Sequence, residues 1–328
     1  GTDGLTGKFS GAAARASGRS AASKGSGYLI GACCAKGVSG ARKLLRSLRR
    51  PAGHDGAMLL RLPLFAALAM LPALHAATAA PRAPRPDIVI FLADDMGKLD
   101  SAAYGGDIRT PHLAELAAGG LTFDRAYVAS PSCAPSRGAL LTGLMPARNG
   151  AASNHAKPRT EIRKWPAYFQ ALGYEVAAFG KVAHYRHTSD YGFDVFAHDT
   201  FHDPEGVPAA VRFLRDRKRE AKPLCLMVGS NWPHVPWPTT DGTHPPASLR
   251  LPTGTLDTPQ TRVWRARYAD AVARCDAELG MVMSAAKETL PTSTVFMFSS
   301  DHGAQWPFGK WNLYEAGVGT PLIVRWPG

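Results

Sequence analysis

Residues 88–95 read Ile-Val-Ile-Phe-Leu-Ala-Asp-Asp, an unbroken apolar run that ends on the adjacent carboxylates Asp94 and Asp95. A run this short, rich in β-branched and aromatic residues and without alternation, predicts a strand buried on both faces. Four more runs of the same kind come later in the chain: Val176 to Phe179, Leu224 to Val228, Thr294 to Phe298 and Leu322 to Val324. Helical patterns lie between them. Thr110 stands as an N-cap, with Pro111 in the first turn and Gly119-Gly120 as the stop; Trp165 to Leu172, Val207 to Arg219 and Arg262 to Lys287 read likewise. Strands alternating with helices predict an α/β fold, a mostly parallel central sheet covered by helices on both faces. Residues 239–261, rich in Thr, Pro and Gly, form an aperiodic connection of the length that functional or mobile loops have.

The residues just beyond the strands carry the chemistry. Asp94 and Asp95 come after the first, Lys181 and His184 after the second, His234 after the third, and Asp301 and His302 after the fourth. In open α/β sheets ligands bind at the carboxyl ends of the strands, so these side chains are expected on one rim. Two adjacent carboxylates cannot both be buried without a cation, because low dielectric strengthens their repulsion and removes their hydration. Oxygen ligation by Asp94, Asp95 and Asp301 suits a hard divalent ion, Ca²⁺ or Mg²⁺, and His302 makes Zn²⁺ or Mn²⁺ conceivable. An Asp-Asp pair alone would more often be a helix cap or a solvated turn. It is Asp301 at a second strand end that favours a metal.

The 328 residues are 45% apolar and 20% charged, which excludes a disordered, collagen-like or disulfide-stapled chain. The formal charge of +12 is concentrated at the start: residues 1–57 hold ten Lys/Arg against two Asp/Glu, whereas residues 81–328 hold 27 against 24. The nearly neutral remainder gives no sign of a nucleic acid partner. Residues 1–57 have the composition of a disordered segment and are expected to be upstream sequence from a misassigned start. At residues 58–80, Met58, Arg61, the apolar run Leu62 to Leu74 and a small-residue stretch read as a secretory signal peptide. The apolar run is too short for a stable membrane span. Cleavage there leaves a mature chain of residues 81–328 and, with no Asn-x-Ser/Thr sequon present, points to a bacterial periplasm or secretion. The sequence stops directly after an apolar strand, so a further C-terminal subdomain is expected to be missing.

Cys133 begins the stretch Cys-Ala-Pro-Ser-Arg (133–137), just ahead of the helical run Gly138 to Leu141. Pro135 suits a first helical turn, which places residue 133 at the positive end of a helix, where an anionic oxygen is stabilised. Arg137 can reach back toward it. A lone Cys beside a helix is usually inert core, and a plain thiolate nucleophile would want a neighbouring His. Cys225 and Cys275 are read as core residues or as a disulfide pair, a choice that sequence leaves open.

Cys133-x-Pro135-Ser136-Arg137 with Leu140-Leu141-Thr142-Gly143 after it resembles the signature of the type I sulfatases, in which the cysteine is converted to formylglycine by a formylglycine-generating enzyme. Leu92-Ala93-Asp94-Asp95, Thr110-Pro111-His112-Leu113, Gly180-Lys181, Ser300-Asp301-His302-Gly303 and Gly309-Lys310 fall in the family's order, and the resemblance covers about residues 86–328. It implies an alkaline-phosphatase-like fold. It also implies a calcium site of Asp94, Asp95, modified Cys133, Asp301 and His302, the last standing where many members have Asn. Arg137 and Lys181 would hold hydrate and sulfate oxygens, His184 would assist the second hydroxyl as sulfate is expelled, and His234 and Lys310 would hold sulfate and protonate the leaving atom.

Without the resemblance, His234 in a Pro-rich loop could be a mere cap, Lys181 and Lys310 ordinary solvated lysines, and His155, His187 and His202 carry no assigned role. The stretch from Phe308 to Tyr314 looks most like the heparan N-sulfatase branch, although that branch has Arg where Lys310 stands. The Lys181-x-x-His184 spacing and the Asp301-His302 pair are similar to iduronate sulfatases. A sulfated sugar, N-sulfoglucosamine or iduronate sulfate, is the expected substrate. A phosphoesterase or phosphonate hydrolase of the same superfamily, and an inactive fragment or non-catalytic secreted binding protein, stay open at this point.

Overall fold

The structure is a computed structural model that describes residues 85–197, 202–218 and 222–327. The expectations for residues 1–57 and for the signal peptide at 58–80 fall outside the described residues.

Seven strands form one sheet: β1 (Ile88–Ala93), β2 (Leu121–Thr122), β3 (Glu175–Gly180), β4 (Val195–Ala197), β5 (Leu224–Gly229), β6 (Val295–Ser300) and β7 (Leu322–Arg325). Their order is β2-β7-β6-β1-β5-β3-β4. β1 is central and pairs in parallel with β5 and β6, β5 with β3, and β3 with β4. β7 pairs antiparallel with both β6 and β2, so it alone runs against the other six. The short β2 and β4 carry no buried apolar run, which is why the sequence pattern does not reveal them.

The helices are α1 (Pro111–Ala118), α2 (Cys133–Thr142), α3 (Pro146–Asn149), α4 (Trp165–Ala171), α5 (Gly206–Asp216), α6 (Pro259–Thr289) and α7 (Glu315–Val318). Successive strand residues point to opposite faces, so each continuous apolar run feeds two cores. Val89, Phe91, Ala177 and Phe298 pack with Leu113 and Leu116 of α1, Val211 and Leu214 of α5, and Val272 and Leu279 of α6. Val176, Ala178 and Met227 face the other way, against Leu141 of α2 and Trp165 and Phe169 of α4. Cys225 belongs to the second core and Cys275 to the first; both thiols are free, held apart by the sheet.

Local details depart from expectation in two places. Thr110 occupies the N-cap position of α1, but its hydroxyl accepts from Ala102 N instead of capping. The cap comes from α6: Asp276 accepts from Leu113 N at 2.8 Å and His112 N at 3.1 Å. The 239–261 connection contains a short 3-10 turn at Pro246–Ser248 and ends where a Thr258–Thr261 capping box starts α6 at Pro259. Among the described residues no helix is long and apolar enough to cross a membrane.

Candidate active site

Parallel register continues past the ends of the strands and so aligns the functional side chains. Asp301 N donates to Ala93 O at 3.1 Å, Asp94 N to Trp232 O at 3.0 Å, and Lys181 N to Gly229 O at 2.9 Å. Gly180, just before Lys181, has φ +69°, and a Cβ there would run into the Gly229 carbonyl oxygen. Only glycine fits a left-handed position with the neighbouring backbone that close. Asp95 also takes a left-handed conformation (φ +66°), and its amide donates to Asp301 Oδ1 at 3.0 Å.

Residue 133 is the first residue of α2, after an extended Ser132. The helix is fastened to the strand rim by Ser136 Oγ, which donates to Asp301 O at 2.5 Å. One turn in, Arg137 is 1% exposed. Its Nε meets Asp301 Oδ2 at 2.9 Å and its Nη2 meets Asp94 Oδ1 at 3.0 Å, while Nη1 donates to the carbonyl oxygens of Lys181 and Val182. A planar fork suits this bridging task, since one cation serves two carboxylates. Lys181 Nζ takes the other oxygen of Asp94. Burial alone would raise the Asp94 pKa, but Lys181, Arg137 and His234 hold its carboxyl well below the usual range.

Around residue 133 a second group converges. Asp95, Cys133, Asp301 and His302 each offer a ligand atom, all within 4.8 Å of one another, and all four residues are buried. Cys133 Sγ lies 3.3 Å from His302 Nε2 and 3.9 Å from Asp95 Oδ1. Burial and Asp94 push the thiol's pKa up, the reverse of what a thiolate nucleophile needs. Lys310 Nζ reaches Asp95 Oδ2 at 2.6 Å from a loop fixed by Lys310 N to Ala304 O and Trp311 N to Pro131 O. His234 Nε2 is 3.7 Å from the same Asp95 oxygen, and its Nδ1 contacts Val235 O at 2.5 Å. Burial opposes charge on His234, yet Cys133, Asp94 and Asp95 together raise its pKa.

The rim therefore brings together ten residues expected from sequence, with two differences of detail. Asp94 stands outside the convergent ligand group, since both its oxygens are engaged by Arg137 and Lys181. Arg137 is placed to hold carboxylates and backbone oxygens. His184 sits at the edge of the cluster, with Nε2 2.7 Å from His155 Nδ1. Its pKa is pushed down to about 3 by burial, Lys181, His155, Arg137 and His187. Sequence reasoning misses the parts that Ser136 and His155 play. Ser136 stands in the Cys133-x-Pro135-Ser136-Arg137 stretch with no role given to it, and a histidine in a polar loop matches no spacing pattern; only the fold shows what each one touches.

The donor set fits a divalent cation. Three carboxylates that are at most 2% exposed crowd one site, and a histidine nitrogen joins the oxygens of two of them. Lys181, Lys310 and Arg137 are themselves buried by their contact with these carboxylates. Their charges are thereby set around the rim where an anionic group could be held.

A family model described as Sulfatase matches residues 86–328. The chain is 30% identical over 255 residues to an ulvan-active sulfatase of Formosa agariphila, covering 74% of this chain and 49% of that protein. It is 30% identical to human N-acetylgalactosamine-6-sulfatase, covering 74% and 57%, and 29% identical to human N-sulphoglucosamine sulphohydrolase, covering 81% and 59%. It thus spans between about half and three fifths of the length of these curated relatives. Among solved structures, the phosphonate monoester hydrolase of Agrobacterium radiobacter aligns with a TM-score of 0.62 at 18% identity, covering 74% of this chain and 68% of that one. A protein solved with its substrate D-glucosamine-2-N,6-O-disulfate aligns with a TM-score of 0.57 at 19% identity, covering 74% and 71%. These likenesses bear out the alkaline-phosphatase-like fold, and with the family match over three quarters of its length the chain belongs to the sulfatase family.

Proposed function

We propose that the protein hydrolyses a sulfate ester or sulfamate of a sulfated sugar, with residue 133 acting as formylglycine after maturation by a formylglycine-generating enzyme. The observation that carries this reading is the placement of Cys133 at the start of α2, buried, within 4.8 Å of the ligand atoms of Asp95, Asp301 and His302. The hydrate of formylglycine supplies two hydroxyls on one carbon, one to attack sulfur and one to expel sulfate without water attacking sulfur.

A sulfate monoester is anionic, so attack requires cations at its nonbridging oxygens and an acid at the leaving atom. Lys181 and Lys310 serve the first need. His234, whose proton is held by Asp94 and Asp95, serves the second together with Lys310. Arg137 fixes the carboxylates in place. His184, kept neutral, takes the proton from the hydroxyl that remains when sulfate departs. Asp95, Asp301, His302 and residue 133, with Asp94 beside them, would hold Ca²⁺ or Mg²⁺, which supplies charge and lowers the pKa of the hydroxyl.

The named activities of the relatives, on N-sulphoglucosamine and N-acetylgalactosamine-6-sulfate among others, support a sulfated sugar as substrate. Export to a bacterial periplasm through the signal peptide at 58–80 is part of the same proposal, supported by the order of basic, apolar and small residues there.

The test is the mass of the peptide carrying residue 133, from protein co-expressed with a formylglycine-generating enzyme. A residue about 18 Da lighter than cysteine is expected, and then sulfate release from N-sulfoglucosamine or O-sulfated sugars. An unmodified thiol, or release of phosphate in preference to sulfate, overturns the proposal.

A further inference from the structure

His155 lies outside the rim, on the loop after α3, and is exposed to solvent, whereas His184 is 4% exposed. Their rings meet edge to face with centroids 4.6 Å apart, and His184 Nε2 is 2.7 Å from His155 Nδ1. His155 holds this position from a left-handed backbone (φ +65°), uncommon for a residue with a side chain. The preceding residue is tied to the nucleophile's helix, since Asn154 Oδ1 accepts from Ala134 N at 3.3 Å. A single dipeptide thus touches both α2 and His184.

The direction of the His184–His155 hydrogen bond is set by the other nitrogen. His184 Nδ1 is buried and makes no hydrogen bond. A buried N–H without a partner is rarer and costlier than a bare lone pair, so Nδ1 carries the lone pair and Nε2–H donates to His155 Nδ1. His184 therefore keeps an unused basic nitrogen inside the protein and a proton aimed at an exposed imidazole.

We propose that His155 is a positioning residue for His184 and its proton relay to solvent: each time sulfate leaves residue 133, His184 Nδ1 takes the released proton, His184 Nε2–H passes to His155 Nδ1, and His155 Nε2–H passes to water. One N–H bond forms and one breaks on each ring, so no net charge remains on either. Hydration of the aldehyde resets both rings: as water adds to the carbonyl carbon and gives one proton to solvent, His184 Nδ1–H passes to the carbonyl oxygen, His155 Nδ1–H returns to His184 Nε2, and His155 Nε2 takes a proton from water. This inference rests on the sulfatase reading for the source of the proton. It also removes a difficulty in that reading. Lys181, Arg137, His155 and His187, with Tyr185 alongside, surround His184. A group pushed down to about 3 cannot store a proton near neutrality, but it can pass one on.

The full chain, matured with a formylglycine-generating enzyme, is compared with H155A and with H155N, which can accept a hydrogen bond but not relay. Both variants should lose about 10²-fold in kcat, with KM falling alongside it so that kcat/KM changes less than about twofold, and with the melting temperature retained. A residue-133 peptide heavier by one sulfo group should accumulate on rapid quenching, and added imidazole should restore turnover in H155A. A kcat near the parent's, or a loss that imidazole does not restore, overturns the relay. Nitrogen-15 NMR judges the pair without turnover: His184 should be the Nε2–H tautomer in the parent, with its signal shifted in H155A. An Nδ1–H tautomer overturns the relay even where sulfate is released. A parent that releases no sulfate, yet shows the Nε2–H tautomer shifted by H155A, overturns the functional reading and leaves the histidine coupling standing.

Discussion

His302 Nε2 lies 3.2 Å from Asp95 Oδ1 and 3.7 Å from Asp301 Oδ2, while its Nδ1 faces the Gly303 carbonyl oxygen at 2.9 Å. A carbonyl oxygen only accepts, so the Nδ1 proton is fixed there and Nε2 turns its lone pair toward two buried carboxylates. Lone pair and carboxylate oxygens repel unless a proton or a metal ion lies between them. Metal at this point satisfies all three groups.

Divalent ion binding should therefore stabilise the fold. Calcium at about a hundred times its Kd adds about 2.7 kcal/mol, or roughly 5–10 °C in Tm for a domain of this size. His302→Ala should shrink the shift. Identical melting curves with and without Ca²⁺, Mg²⁺, Mn²⁺ and Zn²⁺ would remove the metal site from consideration.

Among the described residues, Arg137 is the one side chain that touches both Asp94 and Asp301 through separate nitrogens at full burial. Its removal leaves two carboxylates short of a partner, and breaking a buried pair in this way costs about 3–5 kcal/mol. Arg137→Ala should lower the urea midpoint accordingly. Arg137→Lys should recover only part, because an ammonium cannot span both partners. Denaturation curves of Arg137→Ala that overlay the parent's would show that Arg137 does not hold the rim.

Asp276 caps α1 from a helix more than 160 residues away in sequence, accepting from two amides. Asp276→Ala should cost about 1–2 kcal/mol, with the midpoint of denaturation falling and kcat unchanged. A fall in kcat at unaltered stability would instead give Asp276 a role in the site.

Much of the site is legible in the sequence because of its strands. Asp94, Lys181 and Asp301 each stand just beyond an apolar run, and in a parallel sheet the ends of such runs share one rim, so periodicity alone implies their proximity. Cys133 and Arg137 are legible as the two ends of one helical turn. The features that sequence does not reveal depend on partners chosen across the fold. Thr110 has the residue type of a cap, yet Asp276 does the capping, since α6 brings a carboxylate within reach of two free amides. Asp94 and Asp95 look equivalent in sequence. Left-handed backbone at Asp95 turns its carboxylate toward residue 133, while Asp94 is taken by Arg137 and Lys181. His155 does not stand out because loop histidines are common, and nothing local marks the one that faces His184.

Glu278 supplies a pH dependence whose sign can be worked out. It lies on α6, largely buried, and accepts from Ser230 Oγ at 2.6 Å; that hydroxyl accepts in turn from Trp232 N at 2.9 Å, on the loop leading to His234. Burial pushes its pKa up to about 7, and the Ser230 hydrogen bond offsets only part of this. Below its ordinary value of 4.5 both folded and unfolded chains hold the proton, so the group costs nothing. As pH rises from there to about 7, the unfolded chain releases its proton first, and stability falls until the folded chain releases its own. Glu278→Gln keeps the acceptor for Ser230 and carries no charge. Its stability should match the parent's at about pH 4 and exceed it by about 1–3 kcal/mol at about pH 8. Guanidinium midpoints at the two pH values measure this difference. A Gln variant that is equally stable, or less stable, at the higher pH would mean that Glu278 is already ionised and solvated in the folded protein.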